Sequence, residues 1–371
     1  MQAIDALRSD LAGLAARDRL RSLSPRTGID FSSNDYLALA RSPRLATAAQ
    51  AALARGVPTG SGGSRLLRGN DAEHELLETE AAAFFGSEAA LFFSSGFAAN
   101  ATILSTLPQR GDLILHDALI HASAHEGMRL ARAPAREVPH NDVQGFADAI
   151  RDWRRSGGMG TPWIAVESLY SMDGDRAPLA ELTALAEAED AVLIVDEAHA
   201  TGVFGNSGQG LSLPGPRRIA IHTCGKAMGV EGALVTLPHV MRDFIVNRGR
   251  GFIYSTAPSP LIAAMVRESL RILSDEPERR AALHGLIAAA GTGLARLGIA
   301  PTGSQIVPVI LGEDARAMAV AAQIQAAGFD VRGIRPPTVP AGTARLRLSL
   351  TLNVTMTDID ALTGALNEAM A

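Results

Sequence analysis

The strongest constraint on this chain is an alternation. Short aliphatic, β-branched runs are separated by stretches with helical patterning. "ALFF" (90–93), "DLILH" (112–116), "WIAVE" (163–167), "AVLIVD" (191–196), "IAIHT" (219–223) and "ALVTL" (233–237) read as buried strands. Helices are expected between several of them, over 97–107 and 178–190 among others. Strand–helix–strand repetition of this kind predicts a largely parallel sheet with helices on both faces, an α/β fold. The texture changes near residue 259. A long helical stretch over 260–297 is followed by strands at 306–311 and 345–350, with helices near 315–327 and 357–370. The expected organisation is an N-terminal helical segment (1–35) packing with the small domain or a partner subunit, a large domain (36–258) and a smaller α+β domain (259–371).

Composition narrows the function. The net charge is −5 and no basic block is present, which argues against nucleic acid as the main partner. Cys224 is the only cysteine, so no internal disulfide can form. Asp5, Asp10 and Asp18 interrupt any secretory signal, and no apolar run approaches the ~20 residues of a membrane span. A cytoplasmic protein is expected. Ile4, Leu7, Leu11 and Leu14 follow helical spacing instead, as in an amphipathic helix.

Several motifs fail on inspection. "DEAH" (196–199) needs a phosphate-binding G-x-x-x-x-G-K-[ST] loop, but the one Gly-Lys pair, Gly225–Lys226, is followed by Ala227. "GSGGSR" (60–65) and "GNSGQG" (205–210) lack the dinucleotide order and read as turns. His121 and His125 stand four apart, yet no second cluster completes a metal site, and no metal is expected.

One constellation succeeds. Asp196 ends a strand, and Lys226 follows another by three residues. Ligands of open parallel sheets bind beyond the carboxyl ends of strands, so the two groups should meet there. "FFSSGFAAN" (92–100) adds a strand, a Ser-Ser-Gly turn and a helix start, whose N–H groups and positive dipole end suit a phosphate. Phosphate cup, carboxylate and amine together suit pyridoxal 5'-phosphate (PLP): Lys226 as Schiff-base partner, Asp196 at the pyridine nitrogen, His199 at the phenolic oxygen, Thr223 and the turn at Gly96 on the phosphate. Each residue alone also has a plainer reading: Asp196 as a turn residue, Lys226 as a solvated loop lysine, His121 as a helix cap.

The motifs together resemble those of the α-oxoamine synthases, PLP enzymes of fold type I. The resemblance runs from "FSSNDYLALA" (31–40) through "VESLYSMDGDRAPL", "VDEAHATGVFGNSGQG" and "HTCGKAMGVEGAL" to "IRPPTVPAGTARLRLSLT" (334–351). It implies condensation of an amino acid with an acyl thioester and loss of CO₂. The last stretch is most similar to members that join L-alanine to a pimeloyl thioester in biotin synthesis. The resemblance further implies that His121 stacks on the cofactor ring and Ser171 contacts it. Gly96 and Phe97 would meet its phosphate, and Thr256 would reach the phosphate of a neighbouring subunit, making a homodimer. Arg347 would grip the amino-acid carboxylate, with Asn34 on the substrate side. Leu346, Leu348 and Leu350 share one strand face, leaving Arg345, Arg347 and Ser349 to a cleft or to solvent. Arg68 and Glu231 depart from the pattern, where relatives carry small residues, and leave acyl preference open. So do the alternatives: a relative using glycine or serine with another acyl-CoA, an aminotransferase, or a silent PLP-binding protein.

Overall fold

The computed structural model describes residues 2–23 and 25–371. The chain divides into two compact units. The smaller comprises Met1–Tyr36, Met172–Asp175 and Ala281–Ala371, the larger Leu37–Ser171 and Arg176–Arg280. The expected boundary at 258/259 therefore lies after Arg280. Helix Pro260–Asp275 belongs with the large unit because Arg44, on helix Pro43–Ala54, donates to Glu268 (2.6 Å), Asp275 (2.7 Å) and Glu276 (3.0 Å). The single helix expected over 260–297 is two, Pro260–Asp275 and Pro277–Ala295. Pro277 has no N–H to give and forces Glu276 out of helical conformation (φ −119°, ψ 59°).

The strands, in chain order, are β1 (Ile29–Asp30), β2 (Ala89–Phe93), β3 (Leu113–Asp117), β4 (Ala135–Val138), β5 (Pro162–Glu167), β6 (Val192–Asp196), β7 (Arg218–Thr223), β8 (Ala233–Leu237), β9 (Ile306–Gly312), β10 (Phe329–Asp330), β11 (Arg332–Ile334) and β12 (Ala344–Ser349). Seven of them build the large unit's sheet in the order β2-β8-β7-β6-β5-β3-β4. All neighbours are parallel except β8, which runs antiparallel to β2 and β7. The mostly parallel sheet expected from the alternation is present.

Strand periodicity assigns the faces. On β6, Val192 and Ile194 join the core under helices Gly96–Thr106 and Ala122–Leu130. Leu193 and Val195 join the opposite core, under helices Val143–Arg155 and Leu179–Ala188. Trp163 and Ala165 of β5, and Ile219 and Ile221 of β7, lie on the first face with Val192 and Ile194. Two residues further along each strand come Glu167, Asp196 and Thr223. The period of two therefore sends all three to the face of helix Gly96–Thr106, at the strands' carboxyl ends.

In the small unit β12 pairs antiparallel with β11 and β9, and β1 pairs parallel with β10. Helices Asp314–Ala326 and Met356–Met370 complete it, the latter capped reciprocally by Thr355 and Asp358. No helix among the described residues is long and apolar enough to cross a membrane.

Candidate active site at the carboxyl ends of the large sheet

A cavity of about 150 Å³ opens where β5, β6 and β7 end. Gly96, Phe97, His121, Asp196, His199, Thr223 and Lys226 all line it, so seven of the expected site residues converge. Larger clefts of about 600 and 690 Å³ lie elsewhere in this unit. Neither contains a lysine, and neither lies at the strand ends where a parallel sheet binds ligands.

Asp196 is 8% exposed and held on both oxygens. Asn100 Nδ2 donates to its Oδ2 (2.6 Å) and the Ala198 N–H donates to its Oδ1 (2.9 Å). Burying a carboxylate costs several kcal/mol unless a cation faces it. Lys226 sits in the turn after β7, and its Nζ donates to His199 Nε2 (2.7 Å). The turn is fixed by Cys224 N–H to Gly232 O (2.9 Å), Val230 N–H to Cys224 O (3.0 Å) and Ser269 Oγ–H to Met228 O (2.7 Å).

His121 caps helix Ala122–Leu130, accepting from the Ser123 N–H at Nδ1 (3.2 Å). The plainer reading of this residue, a capping histidine, is thus met together with its place in the cavity. Burial of the ring lowers its proton affinity, Asp196 works against this, and Lys226 works with it. His125 packs its ring edge-on against His116 of β3 (5.1 Å) and does not line the cavity. Among the described residues no three His, Cys, Asp or Glu side chains group as a metal site.

One glycine keeps the helix end of the cavity open. Helix Gly96–Thr106 starts here, its N-cap Ser95 Oγ accepting from the Ala98 N–H (3.1 Å). A Cβ on Gly96 would stand 2.4 Å from Thr223 Oγ1, so only glycine leaves the helix end open beside that hydroxyl. A positive helix end, an open cradle with a hydroxyl, a buried carboxylate and an amine fit a phosphorylated, cationic, carbonyl-bearing ring such as PLP. Gly96→Ala should raise the dissociation constant for PLP about tenfold or more, since overpacking costs roughly 1–3 kcal/mol. Absorbance titration of the purified variant measures this, and unchanged affinity would remove Gly96 from the cradle.

Other expected residues stand apart. Ser171 is buried but does not line the cavity; its N–H donates to Glu167 Oε2 (3.1 Å). Thr256 is exposed and outside the lining. Arg347 and Asn34 lie in the small unit, where Arg347 Nη2 donates to Asn34 Oδ1 (3.1 Å) and Nη1 to Ser349 Oγ (2.8 Å). Neither β12 arginine faces solvent: Arg345 is 3% and Arg347 7% exposed. Arg345 is committed to Asp173 (2.5 Å). "GNSGQG" is a turn as expected: Gly210 has φ 104°, and a Cβ there would strike Glu197 at 2.4 Å.

Three functional signals emerge only with the structure. Glu167, Asn100 and Ser123 also line the cavity. One further signal needs no structure: Lys226 is the only lysine in 371 residues.

Residues 26–366 match the model of the aminotransferase class I and II family. The chain belongs to that family. A curated relative, the 8-amino-7-oxononanoate synthase of Anaeromyxobacter dehalogenans, is 40% identical, covering 98% of this chain and 95% of its own length. Among solved structures of the same fold, the S. paucimobilis serine palmitoyltransferase with a bound PLP–myriocin aldimine superposes with TM-score 0.89. It is 27% identical, over 99% of this chain and 97% of that one. The 8-amino-7-oxononanoate synthase of Francisella tularensis follows at TM-score 0.77 and 27% identity, over 92% and 98%. The family member described here therefore has PLP fold type I, the fold class the motifs imply.

Proposed function

We propose that this chain catalyses the PLP-dependent condensation of L-alanine with a pimeloyl thioester, giving 8-amino-7-oxononanoate, CO₂ and the free thiol, in biotin synthesis. The observation that carries the reading is the full-length 40% identity to 8-amino-7-oxononanoate synthases. The sole lysine, placed beside His199 in the cavity with Asp196, supports it. The serine palmitoyltransferase structures superpose more closely, but at 27% identity they speak for the fold before the substrate.

Bound PLP supplies a carbonyl carbon for an amino group and a cationic ring that draws electrons from the α-carbon. The chain's residues do the rest. Thr223 and the N–H groups at Gly96 and Phe97 would hold the phosphate. Asp196 keeps the ring nitrogen's proton in place, held in aim by Asn100 and the Ala198 N–H. His121, which lines the cavity, would hold the ring's plane when PLP is bound, so that the α-bond perpendicular to it would be the one to break. Lys226 Nζ, steadied by His199, takes the α-proton; the α-carbon bonds to the thioester carbonyl carbon and the C–S bond breaks, releasing thiol. The carboxylate leaves as CO₂, and Lys226 returns a proton to the same carbon. In the small unit, Arg347 with Asn34 is read as the fork for the amino-acid carboxylate, Arg345 being taken by Asp173. Ser171, whose N–H bonds Glu167 at the cavity wall, is read as a further cofactor contact. The working form is read as a cytoplasmic homodimer in which Thr256, exposed in one chain, reaches the partner's phosphate site.

Mass spectrometry of the products decides the substrate. L-alanine with pimeloyl-CoA or a pimeloyl carrier protein should give 8-amino-7-oxononanoate and one thiol per product. Turnover of glycine or serine with another acyl-CoA, with none from alanine, would overturn the assignment.

A further inference from the structure

Glu167 is 2% exposed and closes β5 directly beside Asp196, its register partner on β6. Both side chains leave the same face of the sheet and line the same cavity. Two carboxyl groups are thus set side by side at the place where a cationic ring is to be held.

Their surroundings differ. Asp196 accepts from Asn100 and from the Ala198 N–H. Asp117, also buried, accepts from the Leu119 and Asn141 N–H groups and faces the His140 ring, and these partners hold it below the usual carboxylate range despite its burial. Glu197, the next residue after Asp196, accepts from Ser168 Oγ and the Leu211 and Ser212 N–H groups. Glu167 accepts one bond, from the Ser171 N–H, and its Oε1 is buried with no hydrogen-bond partner. An ionised carboxylate so placed would lack the donors a buried charge requires.

We propose that Glu167 is held in the site as a neutral carboxylic acid, a positioning residue that seats Ser171 and leaves Asp196 as the anion beneath the ring nitrogen. The charged groups around it agree. Burial, then the charge of Asp196, push its carboxyl well above the usual range; Lys226 and the Ser171 N–H oppose them, and Asp117 adds to the rise from β3. The histidines of the same cavity are His121 and His199. A second anion at this point would bind the protons of the ring nitrogen and of Lys226 more tightly and delay their transfer. A neutral acid fills the space without that cost.

The proposal rests on reading the cavity as a PLP site, and its test separates the two. Infrared spectroscopy of the cofactor-free protein near neutral pH should show the carbonyl stretch of a buried neutral carboxylic acid. A component of that band should be lost in Glu167→Gln and retained in Glu197→Gln; burial also raises the carboxyl of Glu197 in the parent. With PLP bound, the pH midpoint of the visible absorbance should differ between Glu167→Gln and the parent by less than about 0.3 unit, since one neutral group replaces another. Glu167→Leu, which loses the bond to Ser171, should lower kcat/KM about tenfold, while Glu167→Gln stays within about threefold. A missing infrared band, or a midpoint lowered by about one unit or more in Glu167→Gln, would mean that an anion had been removed and would overturn the proposal. Should Glu167→Gln fail to fold, presence or absence of the band in the parent and in Glu197→Gln decides. No visible absorbance in the parent would refute the PLP reading instead, and the infrared result would still stand.

Discussion

Lys226→Ala lowers turnover by at least ~10³-fold and removes the visible absorbance of the lysine-bound cofactor, because nucleophile and proton carrier vanish together. The turn bearing Lys226 is held by backbone bonds at Cys224, Val230 and Gly232 and by Ser269 on Met228, none of which uses the lysine side chain. Alanine at this position therefore leaves the turn, the cavity wall and His199 in place. No other lysine exists in the chain to take over. The check is steady-state turnover together with the absorbance of the PLP-loaded variant. Retained activity would show that the amine is a structural group.

Asp196→Asn lowers kcat by roughly 10²–10⁴-fold while the variant still binds PLP, the range expected when a positioned proton-holding group is lost. The substitution is nearly isosteric. Its amide oxygen can keep the bond from the Ala198 N–H, but its NH₂ then meets the donating Nδ2 of Asn100. The carboxylate is replaced by a neutral amide, whereas Gly96, Thr223 and Lys226, which line the same cavity, are untouched. Cofactor content should stay near one per chain, and the fall should appear in kcat under saturating substrates. An equal fall in cofactor content alone would assign Asp196 to binding rather than to the chemistry.

Much of this site was legible before any coordinates. The strand period sends Asp196 and Thr223 to one face, and the short step from "IAIHT" to Lys226 brings the amine to the same edge. A count of lysines, one in the whole chain, points to Lys226 without any motif. Glu167 and Asn100 were not legible in that way. Their roles depend on β5 lying next to β6 in a register that pairs Glu167 with Asp196, and on a helix crossing above them. Such neighbours are fixed by tertiary pairing and carry no local signal. Arg345 and Arg347 share a strand face, so periodicity cannot separate them; they differ in their partners, Asp173 for Arg345 and Asn34 with Ser349 for Arg347. Strand β4, "AREV", is short, polar and at the sheet edge, where a hydrophobic run is not required. The break at Pro277 could be read from the proline, whereas the membership of residues 259–280 in the large unit depends on the ion pairs of Arg44.

The most direct measurement is borohydride reduction of the PLP-loaded protein, followed by intact mass and peptide mapping. One reduced cofactor per chain, on the peptide carrying Lys226, is the predicted result. Absence of any adduct, or a label on a peptide without Lys226, would contradict the account.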